Sequence, residues 1–258
     1  ADPKASDFTF AAPAGLTYNG NAKTATVEPN TGINGMGAVT VKYFKNGAET
    51  EPKDAGDYTV KVSVAEGANY NATTDNLTTD DWKFTIGKAT QTIIVPTDKT
   101  IVKDGIAEDI SDWATVAGVT GGSNPGTLSY ALEGSYTGVA LEGNQLTVDS
   151  SVATGTTITI KVTAEETGNY NKEEQTFTVK VADKNKDHYP YEVTLTIDGM
   201  TCSNCSRRVE NALNSLDGVW AKVDLGERKA DVRLKQAPDN DALRHAVQDV
   251  GYTVLSIQ

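Results

Sequence analysis

The sequence predicts a multidomain protein in which two all-β sandwiches precede a smaller α+β domain. Alternating apolar and polar runs, separated by turns rich in glycine and asparagine, fill residues 1–187. Parts of this region recur at an offset of 100 residues, and helical spacing of apolar residues starts only after residue 200. We therefore predict sandwiches at residues 1–88 and 89–183, a polar linker at 184–189 and the α+β domain at 190–258.

The β region is best defined by its longest runs and its repeat. Residues 58–64 and 157–162 alternate with the period of two that half-buried strands require. The repeat pairs the segment at residues 59–63 with 159–163 and the Asn-Tyr-Asn at 69–71 with that at 169–171. The offset falls to 93 further on, which predicts an insertion around Thr73 to Asp81 in the first copy. Repeats of this length built from short strands are typical of β-sandwiches.

The last 70 residues change pattern. Alternation from Tyr191 to Ile197 predicts a strand, and helical spacing from Val209 to Leu216 predicts a helix that ends at Asp217-Gly218. Two further alternating runs follow, at 219–225 and 230–234. A second helix is expected to open at Pro238-Asp239 and close at Gly251, before a last strand at 252–257. The order βαββαβ is the ferredoxin-like arrangement.

The first repeat resembles the immunoglobulin-like repeats of bacterial surface proteins. The segments that carry the resemblance are Leu16-Thr17-Tyr18-Asn19-Gly20, Tyr43-Phe44-Lys45-Asn46-Gly47, Asp54-Ala55-Gly56-Asp57-Tyr58 and Gly67-Ala68-Asn69-Tyr70. The second repeat resembles them mainly in its last third. The resemblance implies immunoglobulin-like sandwiches that act as extracellular spacers or adhesive stalks, and hence a secreted or surface-attached location.

Composition excludes several classes of function. The net charge is −12, most of it in residues 1–187, which argues against nucleic-acid binding. The chain contains no run of eighteen apolar residues, the length that a helix needs to span a bilayer. The chain begins at Ala1 without a secretory apolar segment, so we expect a processed product whose signal and anchor lie outside it. An enzyme is not predicted, because no GxSxG motif occurs and neither His188 nor His245 has a catalytic context.

The only two cysteines lie together in Gly199-Met200-Thr201-Cys202-Ser203-Asn204-Cys205. This segment joins the predicted strand to the predicted helix. Cys202 should therefore lie in the loop and Cys205 in the first helical turn, where free backbone N–H groups and the helix dipole favour a thiolate. Two thiolates at this spacing can converge on one soft ion. A short-loop disulfide and a thioredoxin-like redox pair are the alternatives.

Residues 190–258 resemble the heavy-metal-associated domain of copper chaperones, copper-transporting ATPase tails and mercury-binding periplasmic proteins. The matching residues are Gly199 to Cys202 with Cys205, Val209-Glu210, Leu213, Gly218-Val219, Val223 and Gly251-Tyr252. The resemblance implies that Cys202 and Cys205 are the metal ligands. It also implies a supporting role for Met200, which packs under the loop, and for Tyr252, which faces the metal.

Thr201 bears on the choice of metal, because zinc- and cadmium-selective relatives often place an aspartate before the first cysteine. Two sulfurs without a carboxylate suit Cu(I) or Hg(II) better than Zn(II), which prefers four ligands. We predict copper(I) first and mercury(II) second, held for capture or for ligand-exchange transfer to a metal-exchanging protein. The alternative is a structural or adhesive protein whose sandwiches bind a host or cell-wall ligand, with the metal domain in an accessory role.

Overall fold

The structure is a computed structural model that describes residues 1–73 and 77–258. The middle of the predicted insertion around Thr73 to Asp81 thus lies outside the described residues. The chain forms two compact units, the first of Ala1–Ile94, Thr115–Leu128 and Thr163–Glu174 and the second of Val95–Ala114, Ser129–Val162 and Gln175–Gln258. Each unit combines stretches that are separate in the sequence, so the division does not test the domain boundaries predicted after residues 88, 183 and 189, which stay predictions.

The residues ahead of the C-terminal α+β region form short β-strands, as the alternating pattern predicts. The only helical segments described before Ser203 are two 3₁₀ turns, Ala5–Asp7 and Lys186–His188. The strands are β1 (Phe8–Ala11), β2 (Thr26–Pro29), β3 (Val39–Lys45), β4 (Ala48–Glu49), β5 (Gly56–Val64), β6 (Lys83–Ile86), β7 (Thr92–Ile94), β8 (Lys99–Val102), β9 (Glu108–Asp109), β10 (Thr115–Ala117), β11 (Leu128–Leu132), β12 (Val139–Glu142), β13 (Gln145–Val148), β14 (Thr157–Ala164) and β15 (Glu173–Ala182).

These strands pair into several small sheets. Their orders are β1-β2, β4-β3-β5-β6, β7-β10, β12-β13-β9 and β11-β14-β15-β8. Asn46 and Gly47 both take positive φ between β3 and β4, as a two-residue hairpin turn requires. In the first unit, strand β5 buries every second residue from Tyr58 to Val64, and β1 and β2 add Phe8 and Val27 to the same core. This all-β architecture is consistent with β-sandwich domains.

The C-terminal region has the predicted order βαββαβ. Its elements are β16 (Tyr191–Asp198), α1 (Ser203–Asn214), β17 (Val219–Asp224), β18 (Lys229–Leu234), α2 (Asn240–Asp249) and β19 (Thr253–Ile257). The sheet order β17-β18-β16-β19 is antiparallel throughout, which confirms the ferredoxin-like arrangement. We call this region the metal domain.

The core of the metal domain lies between the two helices and one face of the sheet. Val209 and Leu213 of α1 and Leu243 and Val247 of α2 are buried against the inward residues of β16, β17 and β18. Asp239 caps α2 by accepting from the N–H groups of Asp241 and Ala242. No helix in the described part of the chain is long and apolar enough to cross a membrane.

Two predicted boundaries in this region are wrong. Helix α1 ends at Asn214 with Ser215 as its C-cap, and not at Asp217-Gly218, so Leu216 lies outside it. The last strand begins at Thr253 and not at residue 252. Both differences have a physical cause: the carbonyl groups of Asn214 and Leu216 are bound by the ammonium of Lys184, and the N–H of Tyr252 turns back to Val247.

Candidate metal-binding site

The cysteine loop lies at the end of the sheet where β16 stops and α1 starts. Gly199 takes φ +92°, a left-handed conformation that turns the chain out of the strand. Cys202 is the N-cap residue of α1, and its carbonyl accepts hydrogen bonds from the N–H groups of Cys205 (2.9 Å) and Ser206 (3.2 Å). The placement of Cys202 in the loop and Cys205 in the first turn agrees with the sequence prediction.

Tyr252 reaches the same end of the domain because of the strand register. Strands β16 and β19 are antiparallel, and Asp198 is paired with Thr253. The residues after β16 and the residues before β19 therefore meet. The N–H of Tyr252 bonds to the carbonyl of Val247 at 3.2 Å, which holds its side chain, half-buried, beside Cys205.

Met200 supports the loop from inside. Its side chain is only 3% exposed and belongs to the core of the metal domain. Cys205 is half-buried against the same core, while Cys202 and Thr201 are exposed. The loop is therefore anchored on its inner side by Met200, and its outer side presents the sulfur of Cys202 to solvent.

The environment of Cys205 favours its thiolate. Hydrogen bonds from Cys202, from the backbone of Thr201 and from the hydroxyl of Tyr252 lower the pKa of Cys205 to about 6. The hydroxyl of Thr201 lies 3.9 Å from the sulfur of Cys205. The hydrogen bond to Cys205 is the main reason that the pKa of Tyr252 is raised, and burial is the second reason. The phenol therefore stays protonated and donates to the sulfur. One of the two candidate ligands is thus deprotonated near neutral pH.

The donors present fit a soft ion of low coordination number. Both cysteines are free thiols. Among the described residues, no group of three or more histidine, cysteine, aspartate or glutamate side chains lies together. His188 and His245 are both exposed, and neither joins the cysteines in such a group. Cu(I) and Hg(II) accept two sulfurs, whereas Zn(II) would need further ligands from water or from another protein.

Polar side chains fix α1, and with it Cys205, against strand β17. The amide of Asn214 donates to the carbonyl of Ala221 and accepts from its N–H, at 2.9 and 3.0 Å. The carboxylate of Glu210 accepts from the N–H of Val223 at 2.9 Å. Glu210 belongs to the residues that carry the family resemblance. The sequence did not predict the hydrogen bonds of Asn214 to Ala221, because an asparagine near the end of a helix is as common in an exposed turn as in a bound position.

The opposite end of the metal domain is held by residues of the second unit that precede it. Lys184 donates to the carbonyl groups of Asn214, Leu216 and Val219 at 2.9–3.0 Å. Asp104, only 1% exposed, accepts from Lys235 of the metal domain at 3.3 Å, and its backbone carbonyl accepts from the N–H of Gly218. Residues 184–189, predicted as a polar linker, therefore include a lysine that is bound on three sides.

Comparison with known proteins agrees with this geometry. Residues 194–253 match the heavy-metal-associated domain, and residues 12–90 match the MBG domain. A copper-exporting P-type ATPase of Mycobacterium tuberculosis is 47% identical over 60 residues, which are 23% of this chain and 8% of that protein. Copper-transporting ATPase 2 of Rhizobium meliloti is 41% identical over 64 residues, or 24% of this chain and 8% of the relative.

Among solved structures, the CopZ metallochaperone matches with 35% identity and a TM-score of 0.24, over 25% of this chain and 100% of that one. The chain spans about 8% of the length of the curated relatives it matches. The resemblance of the metal domain to the heavy-metal-associated domain and to copper ATPases is confirmed by the family and sequence matches, as is the presence of a repeat domain of the surface-protein type ahead of it. The C-terminal region of this chain belongs to the heavy-metal-associated domain family and follows an N-terminal MBG domain.

Proposed function

We propose that this chain binds one Cu(I) ion through the thiolates of Cys202 and Cys205 and passes it to a partner by ligand exchange. The observation that carries the proposal is the pair of free thiols at the start of α1, with Cys205 favoured as a thiolate. The copper-exporting and copper-transporting ATPases that share 41–47% identity with the metal domain support the choice of metal. Hg(II), which accepts the same two sulfurs, is the second cargo.

Exposure of the loop suits ligand exchange. Cys202 is exposed, so a thiolate of a partner can add to the bound ion on that side before Cys202 releases it. Cys205, half-buried and fixed in the helix, would hold the ion until the second partner thiolate arrives. Each step exchanges one metal–sulfur bond for another and leaves the copper in the Cu(I) state. No turnover chemistry is needed, so the proposal is of a binding protein and not of an enzyme.

The location that we propose is the cell surface or the exterior of the cell. Its support is the MBG match at residues 12–90, a domain of the surface-protein type. A chain placed there would hold its thiols reduced only in a reducing or anaerobic setting. The free-thiol count of protein purified without oxygen, compared with protein purified in air, measures this requirement directly.

A titration of the reduced full chain tests the proposal. Cu(I) and Zn(II) are each titrated against a competing chelator without oxygen, in the parent protein and in the Cys202→Ser, Cys205→Ser double variant. We expect one Cu(I) per chain, a strong preference over Zn(II), and loss of Cu(I) binding in the double variant. Ser203→Ala, Ser206→Ala is the matched control, since it changes the first turn of α1 beside the cysteines but no sulfur. Equal or tighter Zn(II) binding, or Cu(I) retained without the cysteines, would refute the proposal.

An adhesive function is the second candidate, favoured by the MBG match and by the share of the chain ahead of the metal domain. In that case the β region binds a host or cell-wall ligand, and the metal domain is accessory. The same double cysteine variant separates the two functions. Under the adhesive proposal, its binding to cell-wall fractions equals that of the parent chain, and metal loading of the parent leaves that binding unchanged.

A further inference from the structure

Two neighbouring strands of the second compact unit end side by side. Strands β8 and β15 are paired in parallel, with Val102 opposite Ala182. Parallel strands leave their sheet at the same edge, so the residues that follow these two strands, Asp104 and Lys184, emerge together. We call this edge, formed by residues 103–106 and Lys184, the mounting edge.

Two segments of the metal domain are adjacent in a similar way. Val219 of β17 is paired with Leu234 of β18. The residues next to this pair, Gly218 and Lys235, therefore lie side by side, and the N–H of Lys235 donates to the carbonyl of Gly218 at 3.0 Å. Both lie at the end of the metal domain opposite the cysteine loop, because α1 runs from that loop to the turn that contains Gly218.

Polar contacts join the mounting edge to these segments. Asp104 is 1% exposed; its backbone carbonyl accepts from the N–H of Gly218 at 2.9 Å, and its carboxylate accepts from the ammonium of Lys235 at 3.3 Å. Lys184 donates to three carbonyl groups at and after the end of α1. The hydroxyl of Tyr189, 3% exposed, donates to the same carboxylate at 3.5 Å. A carboxylate buried to this degree has lost most of its hydration, so the folded state depends on these contacts.

Close packing accompanies these hydrogen bonds. Gly218 is buried at φ +66°, and a Cβ added there would lie 3.0 Å from a side-chain carbon of Ile106. A Cβ added to Gly105 would overlap the carboxylate of Asp217. Ile106 also lines one cavity together with Leu234, a core residue of the metal domain. The mounting edge and the metal domain are therefore fitted together through apolar as well as polar contacts.

Helix α1 connects this junction to the cysteine loop. It begins directly after Cys202 and ends at Asn214, whose carbonyl is one of those bound by Lys184. Its twelve residues span about 18 Å. Leu213, in the last turn, is fully buried in the core of the metal domain. Unfolding of the metal domain would therefore remove the partners of Lys184 and expose the buried carboxylate of Asp104 at the end of β8.

We propose that the metal domain unfolds together with strands β8 and β15 as one cooperative unit, so that a metal ion bound at the cysteine loop stabilises these two strands. A ligand that prefers the folded state stabilises every part of the chain that must unfold with its site. Metal occupancy would thus strengthen the β region at the place where the metal domain is attached. The effect of the metal rests on the proposed function, whereas the cooperative unfolding does not depend on copper.

A core variant of the full chain tests the cooperativity without any metal. Leu213→Ala removes packing from the metal domain alone. We expect the slowest amides of β8 and β15 to exchange faster by the same factor as those of β16, at least about tenfold. Leu255→Ala is the matched control, because Leu255 is 62% exposed, and it should change neither set. Faster exchange in β16 with unchanged exchange in β8 and β15 would overturn the proposal.

Copper provides a second measurement that needs no destabilising variant. Amide exchange of the reduced full chain is followed without oxygen, with and without Cu(I). We expect Cu(I) to slow exchange in β8 and β15 by the same factor as in β16; the unfolded chain also offers two cysteines, so the equality of the factors is the test and not their size. Protection of β16 alone would overturn the proposal. Protection of neither would refute the proposed function instead, and the Leu213→Ala result would then decide the cooperativity.

A junction variant shows whether the mounting edge carries the coupling. The double change Lys184→Met, Lys235→Met keeps both aliphatic stems and removes both ammonium groups. Cu(I) should still slow exchange in β16 of this variant, but its protection of β8 and β15 should fall at least about tenfold. Lys186→Met, Lys229→Met is the matched control, since both lysines are exposed, and it should behave as the parent does. Full protection of β8 and β15 in the junction variant would overturn the assignment of these contacts.

Discussion

Replacing Lys184 by methionine should destabilise helix α1 from its C-terminal end. An ammonium group has three donors, and Lys184 directs all three to carbonyl groups, those of Asn214, Leu216 and Val219, at 2.9, 3.0 and 3.0 Å. Asn214 is the last residue of the helix, so its carbonyl has no partner within the helix. Methionine keeps most of the aliphatic stem and removes only the charge and the three bonds, so the loss is electrostatic rather than one of packing.

The magnitude follows from opposing contributions. A hydrogen bond from a charged group contributes about 1.5–3 kcal/mol, but the three bonds share one ammonium and are not additive. A cation at a helix C-terminus adds about 0.3–1 kcal/mol. Burial, which lowers the pKa of Lys184, opposes both contributions because the ammonium has lost part of its hydration. We expect a net loss of about 2–4 kcal/mol in the stability of the metal domain.

Hydrogen exchange of the α1 amides in the full chain, followed by NMR, measures this loss where it occurs. Lys186→Met is the matched control, because Lys186 is a lysine two residues away that is exposed. It should change stability by less than about 0.5 kcal/mol. Cu(I) binding should be little altered, since the cysteines lie at the other end of the helix. A Lys184→Met protein as stable as the Lys186→Met control would refute the assignment of Lys184 as the cap of α1.

Four further predictions concern the site and its attachment. Thiolate absorbance of the reduced protein should rise through a midpoint near pH 6 for Cys205, and Tyr252→Phe should move it upward by removing one donor. Because the pKa of Cys205 lies below its usual 9, Cu(I) affinity should be lost as the pH falls through about 6, where protons compete for the sulfur. Met200→Ala should cost about 2–4 kcal/mol in urea unfolding with unchanged Cu(I) stoichiometry, while Met200→Leu should cost less than about 1.5 kcal/mol; loss of copper in both would make Met200 a ligand. Asp104→Ala should destabilise the metal domain by about 1–3 kcal/mol, because Lys235 loses its buried partner, whereas Asp104→Asn should retain part of that stability through the acceptor for the Ile106 N–H; an Asp104→Asn protein as stable as the parent would exclude a contribution of the ion pair.

Periodicity predicted the elements whose stability comes from one buried face. Strand β5 and helices α1 and α2 bury residues at the spacing that their sequences show, so their presence and order followed from the pattern. The two cysteines could likewise be placed from the sequence, because a loop between a strand and a helix fixes which of them enters the first turn. The roles of Cys202, Cys205, Met200, Thr201 and Tyr252 in metal binding stay predictions.

The end of α1 could not be predicted, because its cause lies far away in the sequence. Leu216 continues the apolar spacing of Val209 and Leu213, and the spacing alone extends the helix to it. In the structure, the N–H of Leu216 bonds only three residues back, to Leu213, while Lys184 takes the carbonyl groups at the helix end. For a lysine in a polar stretch, the sequence does not indicate whether the side chain is solvated or bound to other residues.

The repeat is a second case in which contacts from distant residues decide what the sequence pattern leaves open. Asn69-Tyr70 and Asn169-Tyr170 are identical in sequence, and in both turns the tyrosine carbonyl accepts from the residue three positions earlier, yet one tyrosine is half-buried and the other fully buried. Tyr18 packs on Tyr170, and Val119 and Ser123 hold its hydroxyl, whereas no such contacts to Tyr70 are found among the described residues. A repeat therefore predicts the local geometry of a turn, whereas the burial of its side chains depends on the residues that pack against it.

The residues that hold the metal domain and the candidate metal-binding residues lie at opposite ends of that domain. In a βαββαβ fold with an antiparallel sheet, the end of β16, the start of α1 and the start of β19 meet at one pole, which here carries Cys202, Cys205 and Tyr252. The turns after α1 and β18 lie at the other pole, and these are the segments that Asp104 and Lys184 bind. Because the two sets of contacts share no residue, holding the domain at one pole leaves the sulfur of Cys202 exposed at the other. The ligand exchange that we propose would thus require no release of the domain from the residues that hold it.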